Sequence, residues 1–468
     1  YAEGSSPSKG IIATSNPHAS KAAKDIIDRG GNAIDATVAV QLVLTLTEPQ
    51  ATGIGGGAFM LYWDEGTSKL YSIDGREKAP SKVTENLFLD NDGNKKRFYP
   101  DAVVGSQSVG VPGIIKLLEE THKKFGKLPW EELFKYAIDL AENGFPVSPA
   151  LNSILGYLKP LKEIEPAASY YFIENSEGLK KPLPVGYILR NIEYSKTLKR
   201  LSKNGSYDFY EGETAKLIID SLDSNSKDSK MSFEDLKNYQ AHDSEVLEGT
   251  FQGYKVFALN LPSYGAITIQ ILQILDHLQV IDNEEDWAIK MGEVTELAYT
   301  YRKHQKDLDS LNQILSYEQA ANWANQIKEK KLNIVEQNTS DMPGSWVSAV
   351  GHTTHLTAAD ENGNVVSLTQ TIGPNMGSKV ASKDLGFLYA VTLGGYLGEY
   401  KPGDRSNSHI TPTLFIDGDK VALAIGAAGG SRIITAVTQV AHRYLAQKNE
   451  LKRALFLPRV YPFEDSLW

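Results

Sequence analysis

Residues 351–371 read GHTTHLTAADENGNVVSLTQT. Two alternating runs, HLTAAD and NVVSLTQT, flank Glu361-Asn362-Gly363-Asn364, which predicts an antiparallel strand pair closed by a turn. The first strand begins directly after two threonines, Thr353 and Thr354, set between His352 and His355. A threonine hydroxyl is a weak nucleophile at neutral pH unless a base lies within hydrogen-bond reach. Its own α-amine is one such base, because cutting the His352–Thr353 bond frees an amine with a pKa of about 7.7–8.0 beside the hydroxyl. On spacing alone, a threonine opening a strand is structural. The two histidines raise the alternative of a metal pair, but at spacing three on a strand they face opposite sides and no third ligand stands nearby, so no metal is expected. His355 is expected to be packed or hydrogen-bonded.

Outward from this hairpin, PTLFID, KVALAIG and LGFLYAV also read as strands, and Gly429-Gly430-Ser431 opens an amphipathic helix. Toward the N-terminus, a strand is expected over residues 10–15. Ser20 is read as the cap of an amphipathic helix closed by Gly30-Gly31, and Ala33 to Thr47 is apolar all round, as in a buried helix. The stretch ATGIGGGAFMLYW then runs from a glycine-rich turn into a strand, with KLYSID as its hairpin partner. No Gly-Lys-Ser/Thr follows these glycines, so a phosphate loop is not indicated. Residues 111–222 are mostly helical in pattern, strands return over 249–259, and helices follow over about 266–280, 293–306 and 317–331. Separated blocks of strands and helices point to an α/β unit with helices outside two sheets.

Composition sets the boundaries. The 468 residues carry a net charge of −10, with 41% hydrophobic and 23% charged residues and no cysteine. Thiol chemistry, disulfides and cysteine-ligated zinc are excluded. An acidic chain is a poor nucleic-acid binder, and no run of 18 apolar residues could span a bilayer. The chain starts at Tyr1 without a basic and apolar leader, from which a processed, secreted protein of the cell surface or cell wall is expected.

Residues 15–61, DGREKAP, VPGIIKLLEETHKKFGKLPW, AENGFPV, SFEDLKNY, TTHLTAADENGNVVSLTQT and GAAGGSRIIT together resemble the γ-glutamyltranspeptidase family of N-terminal nucleophile hydrolases. The resemblance implies a four-layer αββα sandwich made by self-cleavage into a large subunit (1–352) and a small subunit (353–468), with no cofactor. It implies Thr353 as nucleophile, Thr371 as its hydroxyl partner, and Gly429 and Gly430 as the oxyanion hole. Arg76, for which a surface salt bridge is the plain alternative, matches the arginine that holds the donor's α-carboxylate. Ser408 matches the first serine of a Ser-Ser pair whose second member is replaced by His409. Ser431 and Arg432 stand beside the glycine pair on the substrate side.

The departures inform the donor. Where glutathione-cleaving members hold the donor's free α-amine with an asparagine and an acid, this chain has Gly373 and Gly395. A donor with an acylated α-nitrogen needs no such partner, and a buried unpaired carboxylate there would be costly. The pattern resembles the CapD-type capsule depolymerases, implying a poly-γ-glutamate donor and an amine acceptor such as peptidoglycan. Arg76, Lys379 and Arg432 are the candidate basic residues of the cleft, with solvated surface charge the alternative for the last two. A glutathione γ-glutamyltransferase and an unprocessed wall-associated polyanion-binding protein are the other readings. The 116 residues from 353 to 468 are fewer than the resemblance implies for a small subunit.

Overall fold

The hairpin expected around Gly363 forms, and it lies inside a five-stranded antiparallel sheet. A computed structural model describes residues 9–225, 229–278, 283–329, 353–393, 400–463 and 466–468. Along the chain, the strands of the two main sheets are β1 (Gly10–Ala13), β2 (Gly57–Asp64), β3 (Lys69–Gly75), β4 (Val246–Phe251), β5 (Tyr254–Leu259), β6 (Thr354–Asp360), β7 (Val365–Thr371), β8 (Thr413–Asp417) and β9 (Lys420–Ile425). The first sheet has the order β1-β6-β7-β2-β3 and the second β9-β8-β5-β4. Thr354 pairs with Gln370, and Gly363 closes the turn at φ +87°, a conformation that favours glycine.

Helices cover both outer faces. The main ones are α1 (Pro17–Asp28), α2 (Ala33–Thr47), α3 (Ile114–Phe125), α4 (Gly265–Asp276), α5 (Glu284–Thr300) and α6 (Ile433–Ala441). Strand β2 shows how the layers arise from period-two alternation: Ala58, Met60 and Tyr62 join the core under α1, α2 and α3. Phe59, Leu61 and Trp63 join a second core with β8, α4 and α6. A strand buried on both faces needs apolar residues at successive positions, which β2 has from Gly57 to Trp63. The result is helices, sheet, sheet, helices: the four-layer αββα sandwich of N-terminal nucleophile hydrolases.

Helix α2 is buried along its whole length, as its all-round apolar sequence requires, and an Asn32–Asp35 capping box starts it. Helix α1 begins three residues before the expected cap: Asn16 is the cap, accepting from the His18 N–H, and Pro17 occupies the first turn, where its missing N–H costs nothing. LGFLYAV is not a sheet strand. Leu385 and Phe387 to Val391 are all buried, but their backbone bonds go to loop residues, with Tyr389 N–H to Val380 and Ala390 N–H to Gly55. A buried apolar run looks the same in a packed loop as in a strand.

Candidate active site

Strand β7 ends at Thr371, and the hairpin register sets Thr353 against it. The Thr353 hydroxyl donates to Thr371 Oγ1 at 3.2 Å, and the Gly373 N–H donates to the same oxygen at 2.9 Å. Thr353 N–H bonds to Ala51 O at 3.2 Å, on the glycine-rich turn that leads into β2. Those glycines are demanded by close approach: a Cβ on Gly56 would stand 2.2 Å from Thr371 O, and one on Gly57 2.4 Å from Glu77 Oε2. Among the described residues, Thr371 is the one hydrogen-bonding partner of the Thr353 hydroxyl, and no histidine or carboxylate reaches it. Thr353 also holds φ +74°, a left-handed conformation that a β-branched residue adopts only under constraint. His352 lies outside the described residues, as does Gly395.

Arg76 is buried at 1% exposure, so it is not a surface salt bridge. Its Nη1 bonds to Glu77 at 2.5 Å, its Nη2 to Ser406 Oγ at 3.1 Å and its Nε to Ser406 O at 3.2 Å. Burial pushes the Glu77 carboxyl up, and the adjoining guanidinium pulls it back. Asp74 accepts from the Arg76 N–H and from Arg405, which also bonds to Arg76 O, so the turn after β3 is held from both sides. Glu77 and Ser406 are not singled out by the sequence: Glu77 adjoins Arg76 and becomes its partner through burial, and Ser406 reaches it because the loop after residue 400 folds back over β3.

Ser408 runs parallel to Ser263, with its N–H on Pro262 O and its Oγ accepting from the Ile410 N–H. His409 follows and packs against Tyr264 and Tyr299, at ring distances of 5.0 and 6.3 Å. Its Nε2 accepts from Arg302 at 2.8 Å, and burial, reinforced by the charge on Arg302, lowers its pKa to about 3, so the ring is neutral. Gly429 (φ +126°) and Gly430 (φ +61°) form the turn into α6. As the first residues of that turn their N–H groups have no intrahelical acceptor, the condition for holding an oxyanion. Tyr299 donates to Ser431 O at 2.7 Å and Tyr461 to Ser431 Oγ at 2.9 Å, which fixes the turn from outside. Arg432 is half-buried, and burial lowers its pKa.

Two expectations about charge change. Lys379 is at 2% exposure, neither a solvated charge nor a free cleft cation: its Nζ donates to Gly377 O at 2.8 Å and Pro374 O at 3.3 Å. Burial lowers its pKa to about 7. Gly373 stands at φ +86°, and a Cβ there would meet Val391 Cγ1 at 2.5 Å. A side chain here would require Val391 to shift, and glycine itself offers an α-amine no polar group. His355 is held by Thr369 at 2.9 Å and Thr357 at 3.0 Å, and burial lowers its pKa to about 3.

Comparison with known proteins adds to this geometry. A family model described as gamma-glutamyltranspeptidase matches residues 19–464. A glutathione hydrolase proenzyme of Bacillus subtilis (strain 168) is 34% identical over 97% of this chain and 80% of its own length. The capsule biosynthesis protein CapD proenzyme of Bacillus anthracis is 30% identical over 94% of this chain and 76% of its own. Among solved structures, a cephalosporin acylase from Bacillus halodurans superposes with a TM-score of 0.84 at 26% identity, covering 98% of this chain and 85% of that one.

Proposed function

The chain belongs to the gamma-glutamyltranspeptidase family, and on that premise we propose that it is a self-processed γ-glutamyl hydrolase and transpeptidase whose donor is an internal unit of poly-γ-glutamate. Cleavage of the His352–Thr353 bond makes Thr353 the first residue of a small subunit and frees its α-amine. The Thr353 hydroxyl attacks the side-chain amide carbonyl while that amine takes its proton. The tetrahedral oxyanion rests on the Gly429 and Gly430 N–H groups; the leaving amine accepts the proton, and an ester remains on Thr353. Water or an amine acceptor, peptidoglycan among them, then breaks the ester. Arg76 binds the donor α-carboxylate by exchanging Glu77 for it, and Thr371 holds the nucleophile. Such a substrate places the enzyme outside the cell, at the wall.

The observation that carries the donor assignment is Gly373. Glycine supplies no side chain to receive an α-ammonium group, which an acylated α-nitrogen does not have, and its φ of +86° with Val391 Cγ1 close by disfavours a larger residue there. A second reading, glutathione hydrolysis, is favoured by the 34% identity to a glutathione hydrolase proenzyme.

The deciding experiment compares kcat/KM for glutathione and for Nα-acetylated tri-γ-glutamate, with intact mass measured alongside. Preference for the acetylated trimer supports the polymer reading; preference for glutathione replaces it with the second. Two fragments split before Thr353 in wild type, and one chain in Thr353→Ala, are expected. An active, uncut wild-type chain would remove the α-amine as base.

A further inference from the structure

We propose that Arg302 forms a second anion subsite beside the candidate active site, taking a carboxylate of the donor that lies outside the reacting γ-glutamyl unit. The inference rests on the acyl-donor reading above and extends it from one unit of the polymer to the next.

Arg302 opens a single helical turn, Arg302–His304, that continues α5. Its guanidinium carbon lies 5.5 Å from the centre of the Tyr264 ring and 5.7 Å from that of Tyr299. Aromatic faces stabilise a cation without neutralising it. Its Nη1 donates to His409, which is neutral and leaves the charge uncompensated. Arg76, Arg405 and Arg443 each bond to a carboxylate, Glu77, Asp74 and Glu284 respectively. Arg302 pairs with none among the described residues, it is only half-buried, and of its five N–H donors one is directed at His409.

Its neighbours connect it to the chemistry. His409 follows Ser408 on the loop whose Ser406 holds Arg76. Tyr299, one turn before Arg302, anchors the carbonyl of Ser431, the residue after Gly430. The guanidinium therefore stands where the loop that braces Arg76 meets the segment that follows the glycine turn. In a chain with a net charge of −10, an anionic donor needs such local cations, and a planar fork suits a carboxylate. Poly-γ-glutamate presents one free carboxylate per unit, so a donor held at Arg76 has another within the adjoining unit. The glycine carboxylate of glutathione is the other source of the same chemistry.

The test is competition. The enzyme hydrolyses a γ-glutamyl or Nα-acetyl-γ-glutamyl p-nitroanilide, which has no second carboxylate, in the presence of Nα-acetylated tri-γ-glutamate or of glutathione. In Arg302→Gln, the trimer Ki is expected to rise at least about tenfold relative to the anilide KM, with a weaker salt dependence than in wild type. Arg302→Lys keeps the charge without the fork and is expected to fall between, which separates a charge effect from misfolding. A loss confined to glutathione overturns the polymer unit as occupant. Equal changes for trimer and anilide, or none, overturn the subsite. Whether wild type shortens the trimer is read separately and decides the donor reading, since an uncleaved trimer still reports Ki.

Discussion

Thr353 combines two constraints at one residue: a left-handed backbone and a hydroxyl aimed at Thr371. A β-branched residue in that region carries strain of roughly 1–3 kcal/mol, at the residue that follows the bond proposed to break. Thr371→Val keeps shape but removes the oxygen that accepts from Thr353 and Gly373. Self-cleavage and turnover are expected to slow by about 5- to 100-fold, the scale of roughly 1–3 kcal/mol for a buried donor left unsatisfied, read by the rate of fragment appearance. Arg76→Ala has a different signature, because it leaves Glu77 buried without its guanidinium. A cost of roughly 3–5 kcal/mol is expected by denaturant unfolding, smaller after adding Glu77→Gln. The sign with pH follows: without Arg76 the folded Glu77 pKa rises further, so the unfolded chain ionises first and relative stability falls as pH rises above the ordinary carboxylate range. Thr353, Thr371 and Arg76 could be singled out from sequence because each sits in a short motif. Glu77 adjoins Arg76 in that same motif, yet its role as partner depends on burial, which the motif does not state.

At the level of elements, the loop from Thr371 to Val391 carries much of the specificity argument. It runs back beneath the site, with Met376 N–H on Gln50 O and Val391 N–H on Ile372 O. Lys379 ties its middle to the Pro374 and Gly377 carbonyls. Burial brings its pKa from 10.5 to about 7, so between those values the unfolded chain holds a proton that the folded chain has lost. The contribution of Lys379 to stability therefore rises with pH across that window, by up to about 1.4 kcal/mol per unit, and is flat below it. Lys379→Met is expected to remove this slope, measured as the difference in unfolding free energy between the two proteins from pH 7 to pH 9. The strand expected at LGFLYAV belongs to this loop, and a lysine within an apolar neighbourhood read as surface charge for the same reason: hydropathy records how a side chain partitions, not where the chain turns.

Across the whole molecule, the two proposed subunits share both sheets. In the first, β6 and β7 from the region after 353 lie between β1 and β2 from the region before it. In the second, β8 and β9 extend the sheet begun by β4 and β5. A cut before Thr353 leaves these ladders and both cores intact, so the fragments are expected to co-elute at the mass of the whole chain and to part only in denaturant. Separation in native buffer would contradict this interleaving. Local pattern alone determined the hairpin around Gly363, the buried helix α2, the apolar strand β2 and the α/β layering, since each is written in periodicity or in the angle a glycine permits. The resemblance carried by the motifs marked Thr353. Only the tertiary structure decided that Arg76 faces Glu77 and Ser406, that Gly373 lies against Val391, and that Arg302 meets His409. Arg76 and Ser406 lie 330 positions apart, and Arg302 and His409 lie 107 apart. Such contacts are set by strand register and by how the layers stack, and neither is encoded in any short window of sequence.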